Sequence, residues 1–167
     1  MKYGDLNLGQ MEAIVNKLGG MDGVRRFLSG ETVIKAVEPS FRHDKCKDGW
    51  TLSENVSRRL TSVKIDGVSF LKETETYING EEMVRRARTE FNANYGQEDA
   101  EYLLEHQDKI PAKLREFYLV FPGTIWQDSG GLRGVPSLGW RGGQWYLRFF
   151  WLGSDWDSGL RLVVPSK

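Results

Sequence analysis

The sequence is poor in the residues on which most metal sites and covalent catalysts depend. It contains one cysteine, Cys46, and two histidines, His43 and His106. A single cysteine excludes an internal disulfide, and these three residues could complete a tetrahedral zinc site only with the help of carboxylates. We therefore expect no cofactor and no metal ion, and the lone cysteine is typical of a reducing compartment.

The sequence also lacks an excess of positive or negative charge, and it lacks long apolar runs. Lys plus Arg and Asp plus Glu number 23 each, so net charge gives no general attraction to nucleic acid or to an anionic membrane. No apolar run approaches the roughly 18 residues that span a bilayer, and residues 1–7 lack the apolar region of an export signal. We expect no membrane partner, and a location that is cytoplasmic by default or virus-associated.

Familiar enzyme motifs are also absent. The chain has no Gly-x-Ser-x-Gly elbow, no phosphate-binding loop, no Gly-x-Gly-x-x-Gly and no His-Glu-x-x-His. Residues 128–131, Asp-Ser-Gly-Gly, resemble the nucleophile region of serine proteases, but Gln127 replaces the preceding glycine and the chain is too short for two β-barrels. The sequence predicts a protein that is not an enzyme.

Residues 1–55 are predicted to form a helical amino-terminal extension and a linker. Apolar residues recur at helical spacing from Leu8 to Leu18, after Asn7 as the N-cap, and again from Met21 to Leu28. Thr32 to Val37 has the pattern of a short strand. The charged residues that follow, up to position 55, are typical of a long loop or domain junction.

Two short helices joined by glycines also fit a helix-turn-helix, which is the alternative hypothesis. Arg25 and Arg26 on the second helix, together with Arg58 and Arg59, could contact phosphates of a nucleic acid. The protein would then be a small nucleic-acid-binding regulator. A recognition helix this short, with only two basic residues, offers fewer contacts than the recognition helices of known DNA-binding proteins. Nucleic acid is therefore the less favoured partner.

Residues 56–167 are predicted to form an α+β domain. Alternating apolar and polar residues around Asp66-Gly67 predict a hairpin. A helix is predicted from its N-cap Asn79 to about Asn94, and a second from about Gln97 to Asp108. In the first helix the side chains expected on the solvated face are Arg85, Arg86, Arg88 and Glu90.

The run from Trp145 to Trp151 predicts a strand whose two rows of side chains differ in chemistry. Because strand side chains alternate between faces, one row is apolar and consists of Trp145, Leu147, Phe149 and Trp151. The opposite row is Tyr146, Arg148 and Phe150, which are residue types common in recognition surfaces. Leu152 to Gly159 is rich in Gly, Ser and Asp and predicts a polar loop before the next strand.

Two short motifs near the carboxyl end carry a family resemblance. Trp140-Arg-Gly-Gly-Gln-Trp145 and Gly159-Leu-Arg-Leu-Val163 resemble the Arg-Gly-Gly-Ser-Trp and Gly-Phe-Arg-Leu-Val elements that close C-type-lectin-type folds of the formylglycine-generating-enzyme group. The resemblance covers residues 62–167. It implies a C-type-lectin-like α+β domain with an antiparallel sheet and two helices, to which the short amino-terminal helices are an extension.

Within that group the resemblance is to the variable proteins of diversity-generating retroelements. Formylglycine-generating enzymes act through cysteines, whereas Cys46 stands alone and far from the motifs. Carbohydrate-binding lectins use a Glu-Pro-Asn or Gln-Pro-Asp calcium motif, and the similar Glu38-Pro39-Ser40 lies in the wrong region and lacks the amide. Variable proteins display mutable residues on their late strands and on the loop between them.

The resemblance implies a division of the carboxy-terminal residues into variable and fixed positions. In variable proteins the diversified codons begin as adenine-rich Asn codons, from which Tyr, Arg, Phe, Ser, Asp and Gly can be reached and Trp cannot. The candidate ligand-binding residues are Tyr146, Arg148, Phe150, Ser154, Asp157 and Gly159. The fixed residues would be Trp145, Leu147, Trp151, Trp156 and Arg161.

The resemblance therefore implies a non-enzymatic, receptor-like protein. Its partner would be an unknown macromolecular ligand, expected to be a protein. The opposing interpretation is that Tyr146, Arg148 and Phe150 pack beneath the amino-terminal helices and have only a structural role.

The strand alternation leads to a first prediction. Trp145→Ala and Trp151→Ala should each lower the free energy of unfolding by about 3–5 kcal/mol, because the alternation places both indoles in the core. Urea denaturation of the two variants measures the change. A loss below about 1 kcal/mol for Trp145→Ala would contradict the predicted orientation of the strand.

Overall fold

The structure is a computed structural model that describes residues 7–31, 41–56 and 58–166. The chain divides into two compact units, Met1–Glu38 and Pro39–Lys167. The boundary predicted between residues 55 and 56 lies inside the second unit. The predicted strand from Thr32 to Val37 lies outside the described residues.

The first unit contains the two helices that the sequence predicts. α1 spans Leu8–Lys17 and α2 spans Gly20–Leu28. The Asn7 side chain accepts a hydrogen bond from the Gln10 amide, while the Gln10 side chain accepts one from the Asn7 amide. This capping box satisfies two backbone donors and starts α1 at the predicted residue. Gly19 separates the helices with a φ of 87°, which a side chain would strain.

The second unit is an α+β domain with a curled, mostly antiparallel sheet, which confirms the predicted class at this level. Its α-helices are α3, Gly80–Thr89, and α4, Gln97–Glu105. Its 3₁₀ helices are Lys45–Asp48, Gln107–Lys109 and Ala112–Glu116. Its strands are β1 Thr51–Glu54, β2 Ile65–Val68, β3 Tyr77–Asn79, β4 Tyr118–Val120, β5 Ile125–Gln127, β6 Arg133–Arg141, β7 Gln144–Trp151, β8 Asp155–Asp157 and β9 Leu160–Pro165.

The large sheet has the strand order β1-β5-β6-β4-β9-β2, and β7 pairs with β6 outside this path. Its pairs are antiparallel except for β4 with β9, which is parallel. β3 and β8 form a separate antiparallel pair. Because β6 is the only described partner of β7, this strand lies at an edge of the sheet.

Two hydrophobic clusters pack on opposite faces of the sheet. β6 shows the division, because Val135 belongs to one cluster and Leu138 to the other. α3 covers the first cluster with Met83, Val84 and Ala87, all buried as predicted. α4 covers the second with Ala100 and Leu103. β6 is therefore buried on both faces, and β7 pairs with this central strand.

The predicted hairpin turn at Asp66-Gly67 is wrong. Both residues lie within β2, where Gly67 pairs with Val163 of β9. A Cβ at Gly67 would lie 3.1 Å from both the Arg161 Cβ and the Leu114 Cδ2. Glycine at this position therefore allows close packing of its neighbours, which a short-range turn signal does not distinguish from a turn.

Three other boundaries differ from prediction. The segment predicted as a loop before residue 55 contains a 3₁₀ helix and β1, which pairs with β5. α3 ends at Thr89, well before the predicted Asn94, because Asn92 takes a φ of 49° and the Ala93 amide bonds to the Ala87 carbonyl. The polar loop predicted after β7 contains β8. Each difference reflects a tertiary pairing or a helix-terminating bond rather than local propensity.

Arg86 is buried, in contrast to the predicted solvated face. Its guanidinium donates to Glu75 at 2.6 and 2.8 Å, to Glu82 at 2.8 Å and to the Phe70 carbonyl at 2.9 Å. The partners compensate a charge whose burial would otherwise be costly. Hydrogen bonds from Arg86 lower the pKa of Glu75 to about 2, and those from Arg85 and then Arg86 lower the pKa of Glu82 to about 2.

Acid should destabilise the second unit through these carboxylates. Their native pKa of about 2 lies below the ordinary 4.5, so they stabilise the fold above pH 4.5 and lose this effect as the pH falls toward 2. We expect the urea-measured free energy of unfolding to fall over that range, and Glu75→Gln to flatten the decrease. Exposed Glu73→Gln is the matched control, and an unchanged pH slope in Glu75→Gln would count against the assignment.

Candidate functional site

The hairpin of β6 and β7 presents the first half of the candidate site. Tyr146, Arg148 and Phe150 lie on one face of β7, opposite to the face of the adjacent indole Trp145. The hairpin turn is Gly142-Gly143, with φ of 61° and 85°. Two positive φ values in a two-residue loop match the twist of antiparallel strands, so this turn sets the register that places the three side chains together.

These three side chains are half-buried, and Phe150 packs against the first hydrophobic cluster. The Phe150 ring meets the rings of Tyr118 and Trp156 at centroid distances of 5.1 and 5.8 Å. The Arg148 guanidinium lies 4.2 Å from the Phe150 ring centroid and 5.1 Å from that of Tyr118. Arginine stacked on aromatic rings keeps its charge while covering apolar area, so the row remains open to a ligand.

The opposite row of β7 is less uniformly buried than the alternation predicts. Trp145 is 3% exposed and belongs to the core. Leu147, Phe149 and Trp151 are half-buried, and the last two pack against Trp50 at centroid distances of 5.8 and 4.9 Å. The position of β7 at the sheet edge explains the difference, because no further strand continues the core on that side.

Tyr118 lies at the centre of the candidate face and was not identified from the sequence. Its hydroxyl accepts a hydrogen bond from the Arg148 Nη1 at 3.3 Å. Hydrogen bonding with Tyr146, together with the positive charges of Arg148 and Arg141, lowers the pKa of the Tyr118 hydroxyl. The available signal was Gly139, where a Cβ would lie 2.6 Å from the Tyr118 Cε1 and 2.9 Å from the Tyr146 Cζ. A glycine in mid-strand marks the close approach of two rings.

The loop after β7 supplies the second half of the site and is ordered by β8. Trp156 is 1% exposed, and its indole N–H donates to the Trp151 carbonyl at 3.2 Å. Its neighbours Asp155 and Asp157 point outward and are exposed. The Asp157 carboxylate accepts a hydrogen bond from the Gly159 amide at 2.8 Å, which holds the end of the loop.

Two depressions together include all six candidate residues, and the first also reaches Phe149 of the opposite row. The hairpin depression, about 630 Å³, is lined by Arg141, Gln144, Tyr146, Arg148 and Phe149. The loop depression, about 340 Å³, is lined by Glu116, Tyr118, Phe150, Ser154, Asp155, Trp156, Asp157, Gly159 and Leu160. The structure therefore brings together residues that are spread from position 146 to position 159.

The basic residues of the alternative hypothesis are divided between the two units. Arg25 and Arg26 belong to α2 of the first unit, and Arg25 pairs with a neighbouring aspartate at 3.2 Å. Arg58 and Arg59 belong to the second unit, where each stacks on a tyrosine ring at 5.0 and 5.2 Å. Neither Arg58 nor Arg59 lines either depression of the candidate face.

The metal-ligating residue types do not converge in the part of the chain that the structure describes. The His43 Nδ1 lies 3.3 Å from the Glu101 carboxylate, whereas Cys46 is exposed. Within the described ranges, no group of three or more His, Cys, Asp or Glu side chains is placed to hold a metal ion. In those same ranges, no helix combines the length and apolarity needed to cross a bilayer.

No family model matches the chain, and neither a curated protein nor a solved structure matches it. The chemistry of the candidate face is polar and aromatic. The residues that line its two depressions supply guanidinium and amide donors, carboxylate acceptors and aromatic area, and include no cysteine, histidine or lysine. Such an arrangement can bind a ligand by polar and aromatic contacts.

The contacts of the half-buried row predict unequal effects of single substitutions. Tyr146→Ser and Arg148→Ser should each lower the free energy of unfolding by about 0.5–1.5 kcal/mol, because both side chains are half-buried and lose contacts with neighbouring rings. Phe150→Ser should cost about 1–3 kcal/mol, since its ring packs against the core tryptophan. Urea denaturation compares them with Trp156→Ala, for which about 3–5 kcal/mol is expected. A loss above about 3 kcal/mol for Tyr146→Ser would show that this row is core.

Proposed function

We propose that the protein is a non-enzymatic, receptor-like ligand-binding protein of the variable type found in diversity-generating retroelements. Its C-type-lectin-like domain displays diversified residues on β7 and on the following loop, and its ligand is a macromolecule, most simply a protein. The observation that carries the proposal is the convergence of all six candidate positions on one face with two depressions.

The separation of side-chain roles supports this proposal. Among the residues expected to be fixed, Trp145 and Trp156 are 3% and 1% exposed, whereas Leu147, Trp151 and Arg161 are half-buried. The candidate residues are half-buried or exposed, so the contrast in burial rests on the two tryptophans. β7 is held to β6 over eight residue pairs, and β8 is held to β3 over three. Because ladder hydrogen bonds come from the backbone, this support does not depend on which side chains the displayed positions carry.

The two carboxy-terminal motifs have structural roles that suit a conserved scaffold. Trp140-Arg-Gly-Gly-Gln-Trp145 contains the hairpin turn, and its two indoles meet at a centroid distance of 5.6 Å. In the second motif the Arg161 guanidinium stacks on Phe117 at 4.1 Å and donates to the carbonyls of Ser158 and Leu160. These contacts fix the strand that follows the display loop.

The C-type-lectin-like fold is supported by the order of elements. α3 and α4 lie in the chain between an early strand, β2, and the late antiparallel strands, as in the family that the motifs resemble. β9 returns from the display loop to pair with β2, so the last strand of the domain pairs with a strand that precedes both helices. The display loop is thereby anchored on both sides by paired strands.

The family assignment predicts the DNA around the gene. A reverse-transcriptase gene should lie beside a near-copy of the last coding segment, and the two copies should differ mainly at adenines of the near-copy. Sequencing the flanking DNA checks this. Differences concentrated in the codons of Trp145 and Trp156 would contradict the division into fixed and displayed positions.

Tolerance to diversification is the direct test of the display function. In a cell-surface library that varies Tyr146, Arg148, Phe150, Ser154, Asp157 and Gly159 together, most members should remain protease-resistant after mild heating, because the backbone ladders support them. The matched control library varies Trp145, Leu147, Trp151, Trp156 and Arg161 and should lose most folded members. Equal losses in the two libraries would overturn the proposal.

A further inference from the structure

The hairpin half of the candidate face carries positive charge without an internal partner. Arg141 and Arg148 line its depression, and the other lining residues include no carboxylate. Among the described residues neither arginine forms an ion pair, unlike the arginines elsewhere in the second unit that meet carboxylates, namely Arg42, Arg85, Arg86, Arg88 and Arg133. The local field is therefore available to an incoming anion.

The donors in this half are arranged around a common space. One Arg148 nitrogen is engaged with the Tyr118 hydroxyl at 3.3 Å, and a guanidinium has further N–H groups to offer. Gln144 adds a side-chain amide, and Tyr146 adds a hydroxyl that also hydrogen-bonds with Tyr118. Planar guanidinium groups recognise carboxylates through two parallel hydrogen bonds, so this set suits a carboxylate group.

The adjoining loop half has the opposite charge. Its depression is lined by Glu116, Asp155 and Asp157, and none of these carboxylates has an ion-pair partner in the portion that the structure describes. A nucleic acid or other uniform polyanion that reached the arginines would also meet these carboxylates. Like-charge juxtaposition would disfavour it, whereas a protein segment can carry a single acidic side chain beside apolar or basic ones.

We propose that Arg141 and Arg148, with Gln144 and Tyr146, form a subsite for a carboxylate side chain of the protein ligand. The inference rests on the proposed function, since it assigns a partner chemistry to one half of the same face. The aromatic ring of Phe150 separates this subsite from the acidic loop half. A ligand segment that suits both halves therefore presents Asp or Glu, then an apolar residue, then a Lys, Arg or hydrogen-bond donor.

The test uses the full chain and a probe with one carboxylate. The capped tripeptide acetyl-Ala-Glu-Ala-amide is titrated while the side-chain Nε–Hε signals of the arginines are followed by NMR, with acetyl-Ala-Gln-Ala-amide as the neutral control. We expect saturable shifts of the Arg141 and Arg148 signals with the glutamyl peptide alone. The Arg115 signal should stay in place, because Arg115 stacks on Trp140 on the other face of the hairpin.

Substitution distinguishes the subsite from general charge attraction. Arg148→Gln and Arg141→Gln should each lower the affinity for the glutamyl peptide about tenfold or more, as expected for loss of a hydrogen bond to a charged group. Arg115→Gln is the matched control and should leave affinity unchanged. Backbone amide spectra report whether each variant is folded.

Three results would overturn the subsite. They are equal shifts with the glutaminyl peptide, equal weakening by Arg115→Gln, and tighter binding of single-stranded DNA than of the glutamyl peptide at the same salt concentration. Failure of the display function is read separately, as loss of folded members from the library varied at the six candidate positions. If the library stays folded but the glutamyl peptide causes no shifts, the carboxylate subsite is wrong and the proposed display function is unaffected.

Discussion

The pairing of β6 with β7 is the constraint on which the rest of the candidate site depends. The Gly142-Gly143 turn sets a register in which Tyr146 faces Gly139 and Arg148 faces Ser137. A shift of one residue would exchange the faces of every side chain on β7 and place the core indole in solvent. Backbone geometry at two glycines therefore determines which chemistry the face presents.

The buried Arg86 and the arginines of the candidate face differ in how their charges are balanced. The interior guanidinium of Arg86 is satisfied by two carboxylates and a carbonyl, because an unpaired charge there would be strongly destabilising. At the candidate face the opposite holds, since Arg141 and Arg148 are left without carboxylates beside a loop whose own carboxylates are equally unpaired. The buried charge of Arg86 is neutralised within the chain, whereas the unpaired charges on the face can be neutralised by a partner.

Local patterns predicted much of the fold, and tertiary contacts account for what they missed. Asn7 and Asn79 start helices as their side chains predict, since capping is a matter of neighbouring residues. The predicted turn at Gly67 is wrong because glycine is needed there for close packing against side chains distant in sequence, those of Leu114 and Arg161. For the site, strand period placed Tyr146 and Arg148 together, whereas Tyr118 is brought to them only by the sheet. The residues next to Tyr118 in the sequence do not predict its contact with Tyr146 and Arg148.

Gly139 has a further consequence for how such a protein could change over generations. Two phenol rings occupy the space that a methyl group would need, so a side chain at this position would displace them, although the position pairs with Tyr146, which the proposed function treats as variable. Glycine codons begin with two guanines, and a mutational process directed at adenines cannot alter the amino acid there. Under the proposed function, the genetic code would keep Gly139, which lies beneath the displayed rings, unchanged while the displayed residues vary.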